Sequence, residues 1–250
     1  MTVTKTLLAT ALLAAAGVAQ AELSANLGVQ SNYYFRGITQ TDDKAAVSGG
    51  IDYAHDSGLY VGTWMSNVDF GGKEDVEIDG YVGFGNDIGD TGLSYDVSAW
   101  YYWYPGSGGD EQVSADGEVV SGDLDYAEFS ASLSWAWLTG TIAYTAWAEA
   151  DGPGAFQDGD LWYELAVDPG WSYEGFAPTA SIGYYTFDDD GEDDGAGNDL
   201  DLDYMTWSIG ISKDAGDFGS LSVNYVQVDD VNDVNPDDNP NFWLGWAKDF

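Results

Sequence analysis

From Leu23 onward the chain alternates apolar and polar residues in one short segment after another. Successive side chains of an extended backbone point to opposite faces, so a period of two gives each segment one apolar and one polar face. In the first segment Leu23, Ala25, Leu27, Val29, Tyr33 and Phe35 oppose Ser24, Asn26, Gly28, Gln30, Asn32 and Tyr34. Near 93–104, Leu93, Tyr95, Val97, Ala99, Tyr101 and Trp103 oppose Ser94, Asp96, Ser98, Trp100, Tyr102 and Tyr104. Near 124–135, Ala127, Phe129, Ala131, Leu133 and Trp135 oppose Glu128, Ser130, Ser132 and Ser134. Twelve segments read this way, near 23–35, 46–54, 59–68, 76–85, 93–104, 124–135, 138–148, 161–167, 178–187, 200–212, 218–228 and 241–250. Those near 161–167 and 200–212 carry apolar residues on both faces.

The connections alternate as well. The first, third, fifth, seventh, ninth and eleventh (near 36–45, 69–75, 105–123, 149–160, 188–201 and 229–240) are mostly long and hold most of the Asp and Glu. The others are mostly shorter and poor in acid. Long acidic loops at one end and short turns at the other fit an outer-membrane barrel, with extracellular loops and periplasmic turns. Every backbone polar group in hydrocarbon needs a partner within the protein, and a closed barrel supplies one to each. The expected fold is therefore all-β: a transmembrane antiparallel up-and-down barrel of about 12 strands over residues 22–250. Tyr33, Tyr34 and Phe35, Tyr101 to Tyr104, and Trp135 with Trp137 close strands, where interfacial aromatic girdles belong. The final strand carries Phe242, Leu244, Trp246 and Phe250 on one face. An alternating last strand ending on Phe resembles the signal read by the barrel-assembly machinery, although Lys248 interrupts it.

Residues 1–21 form a different unit. Lys5 precedes an apolar run from Leu7 to Val18, followed by Ala19-Gln20-Ala21. That is the layout of a secretory signal peptide, cleaved after Ala21. The run is too short to span a bilayer as a helix.

Six Lys+Arg against 44 Asp+Glu give a formal charge of −38, which excludes a nucleic-acid binder. The absence of cysteine removes disulfides and thiol chemistry.

The stretch Asn32-Tyr33-Tyr34-Phe35-Arg36-Gly37-Ile38-Thr39-Gln40-Thr41-Asp42-Asp43-Lys44 is distinctive. With Ile51-Asp52-Tyr53, Leu59-Tyr60-Val61-Gly62-Thr63-Trp64, Ser66-Asn67-Val68-Asp69-Phe70, Leu93-Ser94-Tyr95-Asp96-Val97 and Tyr104-Pro105-Gly106, it resembles the TorF-like porins of proteobacteria. The resemblance is strong over about 23–106 and looser beyond. It implies an outer-membrane barrel and assigns no binding residues.

Asp52, Glu77, Asp79, Asp96, Glu128 and Glu164 fall on the face opposite the lipid. An anionic lumen would draw cations or neutral solutes and repel anions. Two interiors remain open: a narrow aqueous passage, or a plug of polar groups bonded to one another, because twelve strands lie between filled and channel-forming barrels. Arg36, the one arginine, faces inward by parity at the outer end of the first strand. It either makes an ordinary structural ion pair or pins the first loop across the mouth. Asp188-Asp189-Asp190-Gly191-Glu192-Asp193-Asp194 lacks the spacing of a calcium-binding EF-hand. Only weak divalent-cation attraction is expected there. His55, the single histidine, has no nucleophile motif around it. No catalytic set, metal site or cofactor is predicted. The expected function is passive passage of small solutes, with a non-transporting structural or surface-binding barrel as the alternative. The expected partners are the lipid bilayer, lipopolysaccharide, the assembly machinery and periplasmic chaperones.

Overall fold

The computed structural model describes residues 22–71, 74–107, 112–113, 119–120, 124–150, 156–191, 199–229 and 241–250. The leader and parts of five acidic connections lie outside these residues. Twelve strands close one antiparallel barrel. They are β1 (Glu22–Gln30), β2 (Ala46–Ala54), β3 (Leu59–Asn67), β4 (Val76–Asp87), β5 (Leu93–Trp103) and β6 (Tyr126–Trp135), then β7 (Leu138–Ala148), β8 (Leu161–Val167), β9 (Phe176–Thr186), β10 (Tyr204–Asp214), β11 (Ser220–Asp229) and β12 (Asn241–Asp249). Each strand pairs with its neighbours in sequence, and β12 returns to β1. At that seam Gln30 lies opposite Gly245 and Asn26 opposite Asp249. The backbones of Phe250 and Ala25 then exchange hydrogen bonds of 2.8 and 3.2 Å. Two small hairpins lie outside the barrel sheet. One pairs Tyr34–Phe35 with Ile38–Thr39, and the other pairs Gln112–Val113 with Val119–Val120.

The alternation sorts the two faces. Val61, Val82, Val97, Phe129, Leu133, Leu165, Ile182, Ile209, Val223 and Leu244 are exposed on the outside. Ser48, Ser66, Ser98, Ser132, Thr206 and Asn224 are buried on the inside. Several inward glycines make room for rings rather than for a turn. At Gly62 a Cβ would collide with the Tyr81 ring, at Gly83 with Tyr60, and at Gly183 with Trp162. A ring lying over a cross-strand glycine fills the sheet surface that the glycine leaves bare.

Strand 1 is shorter than the alternation suggests, and this corrects the expectation for its outer end. The ladder stops at Gln30. The chain then turns into the barrel, so Tyr33 is buried and Phe35 packs inside against Tyr102, 5.9 Å between centroids. Neither belongs to an outer girdle. In β5 the outward Tyr101 and Trp103 are exposed, whereas Tyr102 is buried inside, as is Tyr104 just beyond the strand. Trp135 and Trp137 are exposed at the opposite end. Segments near 161–167 and 200–212 look two-faced because Trp162 and Tyr204 are buried inward aromatics. Phe242, Leu244 and Phe250 lie exposed on the outer face. Trp246 shares it by parity and donates its indole N–H to the Phe218 carbonyl at 2.7 Å.

Candidate functional site: a hairpin folded into the lumen

Residues 31–45 do not stand above the barrel. They fold into its loop end, the end carrying the long connections. Asn32 anchors the fold: its Oδ1 accepts the hydroxyls of Thr39 (2.7 Å) and Thr41 (2.9 Å), and its amide donates to Asp43 (2.6 Å). Thr41 has no exposed surface. At the tip, Arg36 and Gly37 have φ of 47° and 91°. A two-residue hairpin turn of type I′ has positive φ at both central residues, which glycine adopts freely and other residues adopt at a cost. Gly37 presses against the far wall, where a Cβ would come within 2.8 Å of Val228 and 3.2 Å of Thr206. The Tyr204 hydroxyl donates to the Arg36 carbonyl at 3.1 Å.

The Arg36 side chain completes the crossing. Its Nη1 and Nη2 each donate to one Glu128 oxygen at 2.7 Å, and Nη1 also donates to the Tyr185 hydroxyl at 2.8 Å. The guanidinium lies over Phe35, Tyr185 and Trp162 at 4.6, 4.9 and 5.4 Å. Glu128 also accepts the hydroxyls of Tyr102 and Thr145, each at 3.3 Å. A bulge in β6 at Ala127/Glu128 brings Thr145 opposite Glu128. A buried carboxylate pays a large desolvation cost, and a bidentate guanidinium with further donors is the arrangement that offsets it. Rings continue around this pair. Tyr102 stacks on Tyr126 at 4.2 Å and Tyr185 on Phe187 at 4.3 Å.

The other predicted interior carboxylates also lie on the inner face, each in a different setting. Glu77 is buried and accepts the Tyr104 hydroxyl at 3.3 Å through Oε1. Its Oε2 and the Asp79 Oδ1 are buried without a hydrogen-bond partner. Toward the turn end, Tyr81 donates to Asp52, and Tyr60 donates to Asp96 at 2.9 Å. Glu164 stands opposite Thr141 in register, between the outward Tyr163 and Leu165. The structure thus joins Arg36 to Glu128, sets Glu77 and Asp79 two residues apart on one face, and separates Asp52, Asp96 and Glu164.

A sequence profile described as "Bacterial protein of unknown function (Gcw_chp)" matches residues 14–238. The chain belongs to the Gcw_chp family. No curated protein matches it. Among solved structures it is similar to a KdgM porin, with a TM-score of 0.51 at 6% identity over 91% of this chain and 98% of that one. It is also similar to a NanC porin, with a TM-score of 0.50 at 11% identity over 90% and 98%. At these identities the likeness is one of fold.

Other predicted features of this Gcw_chp chain have local roles. Asp190 Oδ1 accepts the amides of Leu202 (2.7 Å) and Asp203 (3.1 Å), so it caps backbone. The rest of that acidic run, Glu192 to Asp194, lies outside the described residues. Among the described residues no three acidic or histidine groups are placed to hold a metal. His55 accepts the Ser57 amide at 3.1 Å within an exposed turn. Lys44 joins Asp69 at 2.6 Å and Asp42 at 3.1 Å at the barrel rim. Its hydrogen bond and the Gly71 amide hold the Asp69 carboxyl below its usual range.

Sequence reasoning missed the inward hairpin and the phenols that donate to Asp52, Glu77, Asp96 and Glu128. The hairpin had a readable signal: two β-prone pairs, Tyr34-Phe35 and Ile38-Thr39, flank a two-residue turn ending in glycine.

Proposed function

We propose that this Gcw_chp chain is an outer-membrane porin that passes small cationic or neutral solutes through a constricted anionic lumen. The observation that carries this reading is the inner face itself. It bears Asp52, Asp79, Asp96, Glu128 and Glu164, against the single guanidinium of Arg36. Carboxylates in a low-dielectric passage lower the energy of a passing cation and raise that of an anion. The exposed apolar outer face is suited to a bilayer. The resemblance to TorF-like porins over about 23–106 points the same way. On this reading the leader directs export and is removed after Ala21, the last strand is read by the assembly machinery, and the acidic connections meet lipopolysaccharide and its divalent counter-ions.

The inward hairpin favours a second reading, in which the loop end is closed and the barrel is a structural or surface-binding protein. Single-channel recording of the refolded protein in a planar bilayer under a salt gradient separates the two. The porin reading expects steps with cation preference. That preference weakens in Asp79→Asn and Asp96→Asn and shrinks as salt screens the lumen. A folded barrel that gives no steps sinks it in favour of the second.

A further inference from the structure

Every described cation of this chain is engaged away from Glu77 and Asp79. Arg36 is held by Glu128. Lys44 is exposed at the rim with Asp42 and Asp69. Lys213 donates to the Glu174 carbonyl and Lys248 to the Asp217 carbonyl, both at the turn end. Glu77 and Asp79 are 2% and 4% exposed, and each keeps a buried oxygen with no donor. Burying a carboxylate without a partner costs several kcal/mol. The surroundings are aromatic. Trp64 and Tyr102 stand opposite Asp79 on the neighbouring strands, Tyr104 bonds Glu77, and Tyr33 is buried in one cluster with Tyr102 and Tyr104. Tyr33 meets Trp64 edge-on at 5.4 Å.

We propose that Glu77 and Asp79, walled by Tyr33, Trp64, Tyr102 and Tyr104, bind the primary ammonium head of an alkylamine. An ammonium offers three N–H donors and accepts nothing. Glu77 Oε2, Asp79 Oδ1 and one phenol oxygen satisfy all three. The ring faces take the cation and its methylene stem through cation–π and apolar contact. A hard divalent ion suits the place poorly, because calcium takes six to eight oxygens and the wall is mostly carbon. Tyr33 arrives on the hairpin, so amine binding and hairpin position are linked. The proposal names a solute class within the porin reading and depends on that reading only for the route of entry.

The test uses the refolded protein in detergent micelles. Ethylammonium chloride is titrated against potassium chloride and tetramethylammonium chloride at matched ionic strength. Tryptophan fluorescence and the unfolding temperature are both read. The expected result is a saturable fluorescence change and a raised unfolding temperature with ethylammonium alone, since tetramethylammonium has no N–H to donate. Asp79→Asn and Glu77→Gln each weaken binding by about tenfold or more, and Asp96→Asn leaves it unchanged. Trp64→Phe removes most of the fluorescence change. If Asp79→Asn does not fold, Glu77→Gln decides. An equal response to potassium overturns the proposal, as does a response to pH with none to amine, or full binding by both carboxamide variants. A barrel silent in the bilayer that still binds ethylammonium sinks the porin reading alone.

Discussion

The two ends of the lumen solve the same problem in different ways. At the loop end the interior is filled: a hairpin crosses it, rings stack, and Arg36 and Glu128 are buried together. At the turn end small hydroxyl residues pair along the wall, Ser132 with Thr141, Ser134 with Thr139 and Ser181 with Ser208, each at 2.9 Å. There the larger side chains are held by cross-strand hydroxyl–carboxylate bonds, Tyr60 with Asp96 and Tyr81 with Asp52. The filled end derives its order from long-range contacts. Arg36 and Glu128 are 92 residues apart in sequence, Arg36 and Tyr185 149. The turn end derives its order from strands close in sequence, adjacent ones for the hydroxyl pairs and next-nearest ones for the two phenol–carboxylate bonds. A filled region fails when one member is removed, whereas a hydroxyl wall exchanges protein partners for water.

The sharpest way to break that contrast is Arg36→Ala, which leaves the buried Glu128 carboxylate without its counter-charge. A loss of about 3–5 kcal/mol is expected, read as a lower temperature for the heat-induced mobility shift in gel electrophoresis. Arg36→Ala with Glu128→Gln should recover much of it, and the double-mutant cycle gives the coupling. If both variants conduct, their single-channel conductance should exceed that of the wild type. Gly37→Ala should act in the same direction with less force, about 1–3 kcal/mol. It strains a φ of 91° and drives a methyl toward Val228.

A third effect concerns the rim. The Asp160 carboxylate accepts the amides of Gln157 (2.8 Å) and Asp188 (3.0 Å), and burial pushes its pKa up to about 6. The folded chain therefore holds this proton more tightly than the unfolded chain, whose Asp titrates near ~3.9. Stability from this group is present on the acid side and falls as pH rises through about 4 to 6, then levels. The difference in unfolding temperature between wild type and Asp160→Asn across that window should follow this slope. A flat difference removes the effect. The smallest change is expected at the turn end, where Ser132→Ala should cost under about 1 kcal/mol and leave conductance nearly as it was.

The barrel was legible because alternation imposes one rule on each strand, an apolar outer face, and Val61, Val97, Leu133 and Ile209 obey it. Parity carried no information about where a ladder ends. It placed Tyr33 and Phe35 outside because alternation runs on past Gln30, although the backbone has left the sheet. Parity also sent Arg36 inward, and the side chain does point there, but from a turn with positive φ rather than from a strand. The inner face of Asp52, Glu77, Asp79, Asp96, Glu128 and Glu164 followed from the same alternation. Which of them meets a guanidinium, a phenol or nothing depends on the barrel's stagger and on the hairpin's path. Neither is written in local sequence. Trp162 and Tyr204 blurred their strands because a packed interior accepts aromatics where an aqueous one favours polar groups.

The seam between β1 and β12 joins residues 26–30 to 245–249. No shorter length of chain can finish the sheet, because the first strand's last neighbour is the last to be made. Until β12 arrives, β1 and β11 both present unsatisfied ladders, and in hydrocarbon such ladders are costly. Closure is thereby a single event with a late commitment. Loss of the nine residues of β12 would leave not a slightly smaller barrel but an open sheet with two adhesive edges.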